Sequence, residues 1–213
     1  MVRRLLGLVL LLALVGAGAA LAARGDPQKK ITPADQARAK AMLLRQSDFG
    51  PGFNAERAGG DYDYYCRALD ESDLTLTGEA ESPTFTAGFQ GIGSASQVYA
   101  SIANANTSWR RGTSSAGVAC AAAAYRSLSR SEGVRFVSYR KIAFPSVAPR
   151  TVAYRWITSA NGVRIYADLV FLMRSRAQAG VYFVSPVGPI ERSEQVELAR
   201  VVAGRMAKAM RGA

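Results

Sequence analysis

The chain contains no histidine in 213 residues. That removes Ser-His-Asp and Cys-His nucleophilic mechanisms, every histidine metal site and any imidazole pH switch. Cysteine is nearly as scarce. Cys66 and Cys120 form no C-x-x-C redox motif and are too few to hold a metal. Lysine supplies only five of the 27 cations, so the basic character is carried by arginine. Gly and Pro are ordinary at 20 and 8 residues, which excludes collagen-like and low-complexity classes. Acids number only 16, leaving a net charge of +11. Such a chain suits nucleic acid, anionic lipid or acidic polymer, and the compartment decides among them.

What is present is enough apolar material for one core, 49% of residues, and the length predicts a single domain. Residues 1–23 carry Arg3 and Arg4, an apolar run from Leu5 to Val15, and Ala20-Leu21-Ala22 as a small-residue cleavage site. This reads as a secretory signal peptide cut after Ala22 or Ala23. The alternative is a retained membrane anchor, because Leu5 to Ala23 is 19 residues and can span a bilayer. No cysteine follows the run for lipid attachment. Either way the rest of the chain lies outside the cytoplasm, secreted or held at the membrane through residues 5–23. Loss of the leader takes Arg3 and Arg4 with it and leaves 25 cations against 16 acids, a net +9. In an exported chain an even pair of cysteines predicts a Cys66–Cys120 disulfide.

Residues 24–31 read as a linker and 32–213 as the folded body. Thr32-Pro33-Ala34-Asp35 starts a helix, with Thr as N-cap and Pro at the first position, running to about Gln46. Ser47 to Phe53 stops it, and Phe49 and Phe53 plug the turn into the core. Strands are expected at Tyr62–Cys66, Leu74–Thr77 and Thr84–Gln90. Gly91-Ile92-Gly93 reads as a break, with Ser94 capping a helix to about Arg110, followed by a second helix from Ser115 to Ser129. Four strands follow at Val134–Ile142, Val152–Thr158, Val163–Arg174 and Ala179–Ser185, with Asn161-Gly162 as a hairpin turn. A last helix runs from Ser193 to about Met210. The fold class is α+β, an antiparallel sheet with helices packed on it.

Seven acids between Asp61 and Glu81, with Arg67 the one cation, read as a solvated face or as partners for arginines. Glu79 and Glu81 share a strand face, which leaves a carboxylate hydrolase open as a minor alternative. Nothing else in the sequence nominates a catalytic residue, a metal ligand or a cofactor site. On the last four strands Tyr139, Tyr154, Trp156, Tyr166 and Tyr182 lie near Arg135, Arg140 and Arg164. Rings beside guanidinium groups can line a pocket for a sugar, a lipid headgroup or an acidic polymer. The competing reading is core aromatics beside solvated arginines, the commoner fate of such sets. The candidate ligand-binding residues are therefore Tyr139, Tyr154, Trp156, Tyr166, Arg164 and Tyr182.

Leu43-Leu44-Arg45-Gln46-Ser47-Asp48-Phe49-Gly50-Pro51-Gly52-Phe53 resembles the opening of actinobacterial extracytoplasmic sensor domains, the PknH-like extracellular domains. Val98-Tyr99, Cys120, Ile165–Val170 and Val181-Tyr182-Phe183 fit the same pattern, over roughly residues 35–210. The resemblance implies an antiparallel sheet with helices, disulfides, and a cleft for an unidentified ligand without catalysis. Such domains often carry two disulfides, whereas this chain can make one. The expected role is an exported, non-catalytic, sensor-like binding domain of the bacterial cell envelope. Its expected partner is an envelope component, an anionic polymer or lipid, and export argues against nucleic acid. The alternatives are a membrane-anchored structural or adaptor protein and the hydrolase.

Overall fold

The structure, a computed structural model, describes residues 25–57 and 65–212. The leader expected at residues 1–23, Asp61, Asp63 and most of the strand expected at 62–66 lie outside the described residues. The chain runs through β1 (Gln28–Lys29), α1 (Pro33–Met42), a 3-10 turn (Gln46–Asp48), β2 (Asn54–Glu56) and a second 3-10 turn (Arg67–Leu69). It continues through β3 (Thr75–Glu81), β4 (Thr84–Ala87), β5 (Gln90–Tyr99), α2 (Ile102–Thr113) and α3 (Ser115–Ser131). Then come β6 (Arg135–Ile142), β7 (Arg150–Ala160), β8 (Val163–Arg174), β9 (Ala177–Ser185) and α4 (Arg192–Ala209). The result is α+β: one nine-stranded sheet in the order β1-β3-β5-β9-β8-β7-β6, with β4 joining the start of β5 and β2 pairing β4. Every pairing is antiparallel except β1 with β3. No helix among the described residues is long and apolar enough to cross a membrane.

The sequence explains why helices cover both faces. In β8 the odd positions Ile165, Ala167 and Leu169 are buried, and so are Asp168, Val170 and Leu172 on the even side. A strand apolar on both faces needs cover on both. On one side α1 and α4 bury Ala39, Met42, Leu198, Val202 and Met206 against Ile92, Val98, Val170, Val181 and Phe183. On the other, α3 packs Tyr125 and Leu128 on Trp156, Ile165, Leu169 and Val184. There α2 packs Ala105 and Trp109 with Leu76, Tyr99 and Met173.

Helix α1 starts as expected, the Thr32 hydroxyl accepting from the Asp35 amide at 3.2 Å. It ends at Met42 rather than Gln46, because Leu43 turns to an extended backbone (φ −71°, ψ 155°). Residues 90–99 form strand β5, which corrects the helix expected from Ser94. The helix is capped seven residues later, the Asn104 amide donating to the Ser101 hydroxyl rather than a first-turn amide to Ser94. The small residues that read as a turn are those a crowded central strand needs. Ser94 Oγ accepts from the Leu44 amide at 2.8 Å, and Ser96 Oγ donates to the Ala39 carbonyl at 2.8 Å. Gly93 lies under the Tyr182 ring, where any Cβ would collide with the phenol.

Candidate functional site

The face bearing α2 and α3 is incompletely covered. Helix α2 stands over β5 and β9, and α3 over β6. The register places Ala95, Gly180, Phe171 and Val152 in one cross-strand row, and Gln97, Gln178, Met173 and Arg150 in the next. Within these rows Ala95, Gly180, Phe171, Gln97 and Gln178 are half-buried, while the neighbouring Leu169, Tyr182 and Trp156 are buried. The strip between the helices is thus a shallow floor of small and amide side chains. Gln178 Nε2 donates to the Ala105 carbonyl of α2 at 2.9 Å, fixing the wall on that side.

The opposite wall is aromatic. Tyr125 of α3 stacks on Trp156 with centroids 4.3 Å apart and meets Tyr139 at 4.9 Å. Tyr139 stacks on Tyr154 at 5.3 Å, and Tyr154 meets the edge of Phe171 at 6.2 Å. The ladder runs from beneath α3 to the floor, and every contact but the closer Tyr125–Trp156 stack falls in the range aromatic pairs favour. Burial raises the Tyr139 hydroxyl far above an ordinary phenol, and Tyr125 and Tyr154 beside it add to the effect. These phenols stay neutral and can only donate or accept. On the same face of β7 the buried Trp156 Nε1 and Thr158 Oγ1 find no hydrogen-bond partner among the described residues. Tyr182 lies toward the other side of the floor, its hydroxyl 3.0 Å from Thr84 Oγ1, with its pKa pushed up to about 12 chiefly by burial.

Four of the six sequence candidates, Tyr139, Tyr154, Trp156 and Tyr182, therefore share the α2/α3 face. Tyr166 and Arg164 lie on the reverse face, in the rows with Ile157 and Ser159. The six do not converge on one concavity. Sequence reading missed the floor itself, because Ala95, Gly180 and the two glutamines carry no signal until register brings them together. It also missed the pair beneath the reverse face. Arg155 Nε and Nη2 donate to the two Asp168 oxygens at 2.6 and 2.7 Å, and Gln195 Nε2 donates to Oδ2 at 2.8 Å. That pair was legible in principle. A hairpin closing at Asn161-Gly162 sets residues 155 and 168 opposite each other.

The acidic segment is engaged internally wherever it is described. Asp73 accepts both Arg111 nitrogens at 2.6 and 2.8 Å, and Glu79 pairs with Lys29 at 2.6 Å. Glu71 accepts from Tyr99 at 2.9 Å, and burial raises its carboxyl. Cys66 and Cys120 are joined as expected, with Cα atoms 6.1 Å apart, tying the turn after residue 65 to α3. A depression on α4 is lined by Arg192, Ser193, Val196, Glu197, Arg200 and Val201. All six belong to one helix, so no second described element converges on it.

No protein-family model and no curated protein matches this chain. Among solved structures it is similar to the crystal structure of the extracellular domain of PknH from Mycobacterium tuberculosis. The match has 10% identity and a TM-score of 0.45, and covers 84% of this chain and 98% of that one. It is also similar to the X-ray structure of an uncharacterised Mycobacterium smegmatis protein, the Rv0999 ortholog. There the identity is 13% and the TM-score 0.42, over 80% of this chain and 98% of that one.

Proposed function

We propose that this protein is an exported, non-catalytic binding domain of the bacterial envelope, with the strip between α2 and α3 as its ligand site. The observation that carries the reading is the half-buried floor of Ala95, Gly180 and Phe171 beside a rigid ladder of tyrosines. Concave sites with aromatic walls and a few amides bind small molecules by stacking and hydrogen bonding. Gln97, Gln178 and the Tyr139 and Tyr154 hydroxyls are the polar groups at hand. Such groups fit an uncharged, hydroxyl-bearing ligand. Export is supported by the leader-like residues 1–23 and by the Cys66–Cys120 disulfide. The described carboxylates of the acidic segment are held by internal partners such as Arg111 and Lys29, which supports binding rather than hydrolysis.

Native mass spectrometry of the protein purified from its own envelope tests the reading. It predicts a bound compound that is lost on denaturation. A bare polypeptide mass under conditions that preserve known weak complexes would contradict it. The second reading, a membrane-anchored adaptor, is favoured by the 19 apolar residues Leu5 to Ala23. An N-terminus at Met1 in the envelope form supports the anchor, and one at Ala23 or Arg24 excludes it.

A further inference from the structure

The charges of this protein are segregated along its sheet. The described residues within 25–81, which include β1 and β3 at one edge, hold seven cations and nine acids. Residues 126–164, which include β6 at the other edge, hold eight cations and one acid, Glu132. On β6 itself Arg135, Arg140 and Lys141 are exposed. Register places Arg140 beside Arg155, and Arg135 in one row with Ser159 and Arg164. Arg126 and Arg130 add to the same end from α3, which packs on β6, and Arg126 is fixed over the Phe136 ring at 4.8 Å. Only Arg155 of these has an ion-pair partner among the described residues.

Charged side chains on an edge strand can serve simply to keep sheets from joining edge to edge. That accounts for Arg135, Arg140 and Lys141. It does not account for Arg126, Arg130 and Arg164, which extend the field onto a helix and a strand two places inward. Like charges gathered with so few acids repel one another, and an anionic partner relieves the repulsion.

We infer that the β6 end of the sheet is a docking surface for a linear polyanion. A bilayer is the poorer partner. Of the large exposed apolar side chains among the described residues, only Val163 belongs to this end, so it has no apolar face to insert. A flexible chain of anionic groups can follow the strand edge and reach cations on both faces. Arginine forks suit phosphate groups in particular. This surface is separate from the floor between α2 and α3, and neither depends on the other.

The test is titration of the intact protein with long-chain inorganic polyphosphate across a series of salt concentrations. Two charge-matched variants are compared with the wild type. One carries Arg135→Gln, Arg140→Gln, Lys141→Gln and Arg164→Gln. The other carries Lys30→Gln, Lys40→Gln, Arg45→Gln and Lys208→Gln. All eight side chains are exposed, so both variants fold. The wild type is expected to bind with a steep salt dependence. The first variant should lose about tenfold or more in affinity, with a slope shallower by about 3 at roughly 0.7 per flexible-chain contact. The second should stay within about threefold of wild type at the same salt. Equal weakening of both variants would reduce the effect to net charge and overturn the assignment. So would failure of the wild type to bind, or tighter binding to phosphatidylglycerol vesicles than to the polymer.

Discussion

Replacing Cys66 and Cys120 together by serine removes the one covalent tie between the turn at 66–69 and α3. The sequence separation is 54 residues, so the closed loop contains about 55. In the chain-entropy treatment such a loop restricts the unfolded state by about 14 cal/mol/K, or about 4 kcal/mol at 25 °C. For a domain of this size that corresponds to a fall in Tm of roughly 8–16 °C. Few other long-range contacts replace the tie. Gly25 accepts from the Glu71 amide at 2.7 Å, and Arg111 holds the Asp70 carbonyl at 2.7 Å. Urea unfolding of wild type and double variant, each followed by far-ultraviolet circular dichroism and intrinsic fluorescence, reads the loss directly. A loss below about 1 kcal/mol with an unchanged m-value would refute the loop argument. It would mean that the unfolded chain is already held compact by other means.

Other outcomes follow from the buried polar groups. Asp168→Ala leaves Arg155 mostly buried and unpaired and should cost about 3–5 kcal/mol, whereas Arg155→Met with Asp168→Leu should recover most of it; parallel urea curves decide. Thr158→Val exchanges a buried hydroxyl without a described partner for a methyl group and should raise stability by about 1 kcal/mol; a loss in the same assay would place a bound group at that oxygen. Asp35 is held well below its ordinary value, first by Arg176 and then by Thr77 and Arg38, so it binds its proton more readily unfolded than folded. Its contribution is complete above about pH 4 and drains away as pH falls below that, so Asp35→Asn should flatten the acid limb of a stability–pH profile. Gly93→Ala forces Tyr182 from its place and should cost about 1–3 kcal/mol, read as a lower urea midpoint.

Elements with a clean alternation or an unambiguous turn were legible in the sequence. The strand at 163–174 falls where its period-2 pattern ends, and Asn161 and Gly162 both take the left-handed backbone (φ 51° and 80°) of a tight hairpin. Helix α3 and the Thr32 cap followed from alanine content and capping chemistry. Strand β5 did not. Its Gly91, Gly93, Ser94, Ala95 and Ser96 are small because α1 and Tyr182 press on them from opposite faces, and smallness reads as a turn in one dimension. The aromatic residues were legible as a set, but not their division between two faces. That division depends on register across three strands, including a bulge between Phe136 and Ser138.

The account rests on the strip between α2 and α3 being where a ligand sits. Ala95 is half-buried at its floor, so Ala95→Trp fills the strip while leaving the core beneath it intact. Wild type and Ala95→Trp purified side by side from the native envelope, and weighed under non-denaturing conditions, test this most directly. The account predicts a bound compound on the wild type and a bare mass for the variant at equal thermal stability. The same adduct at the same occupancy on both proteins would contradict it.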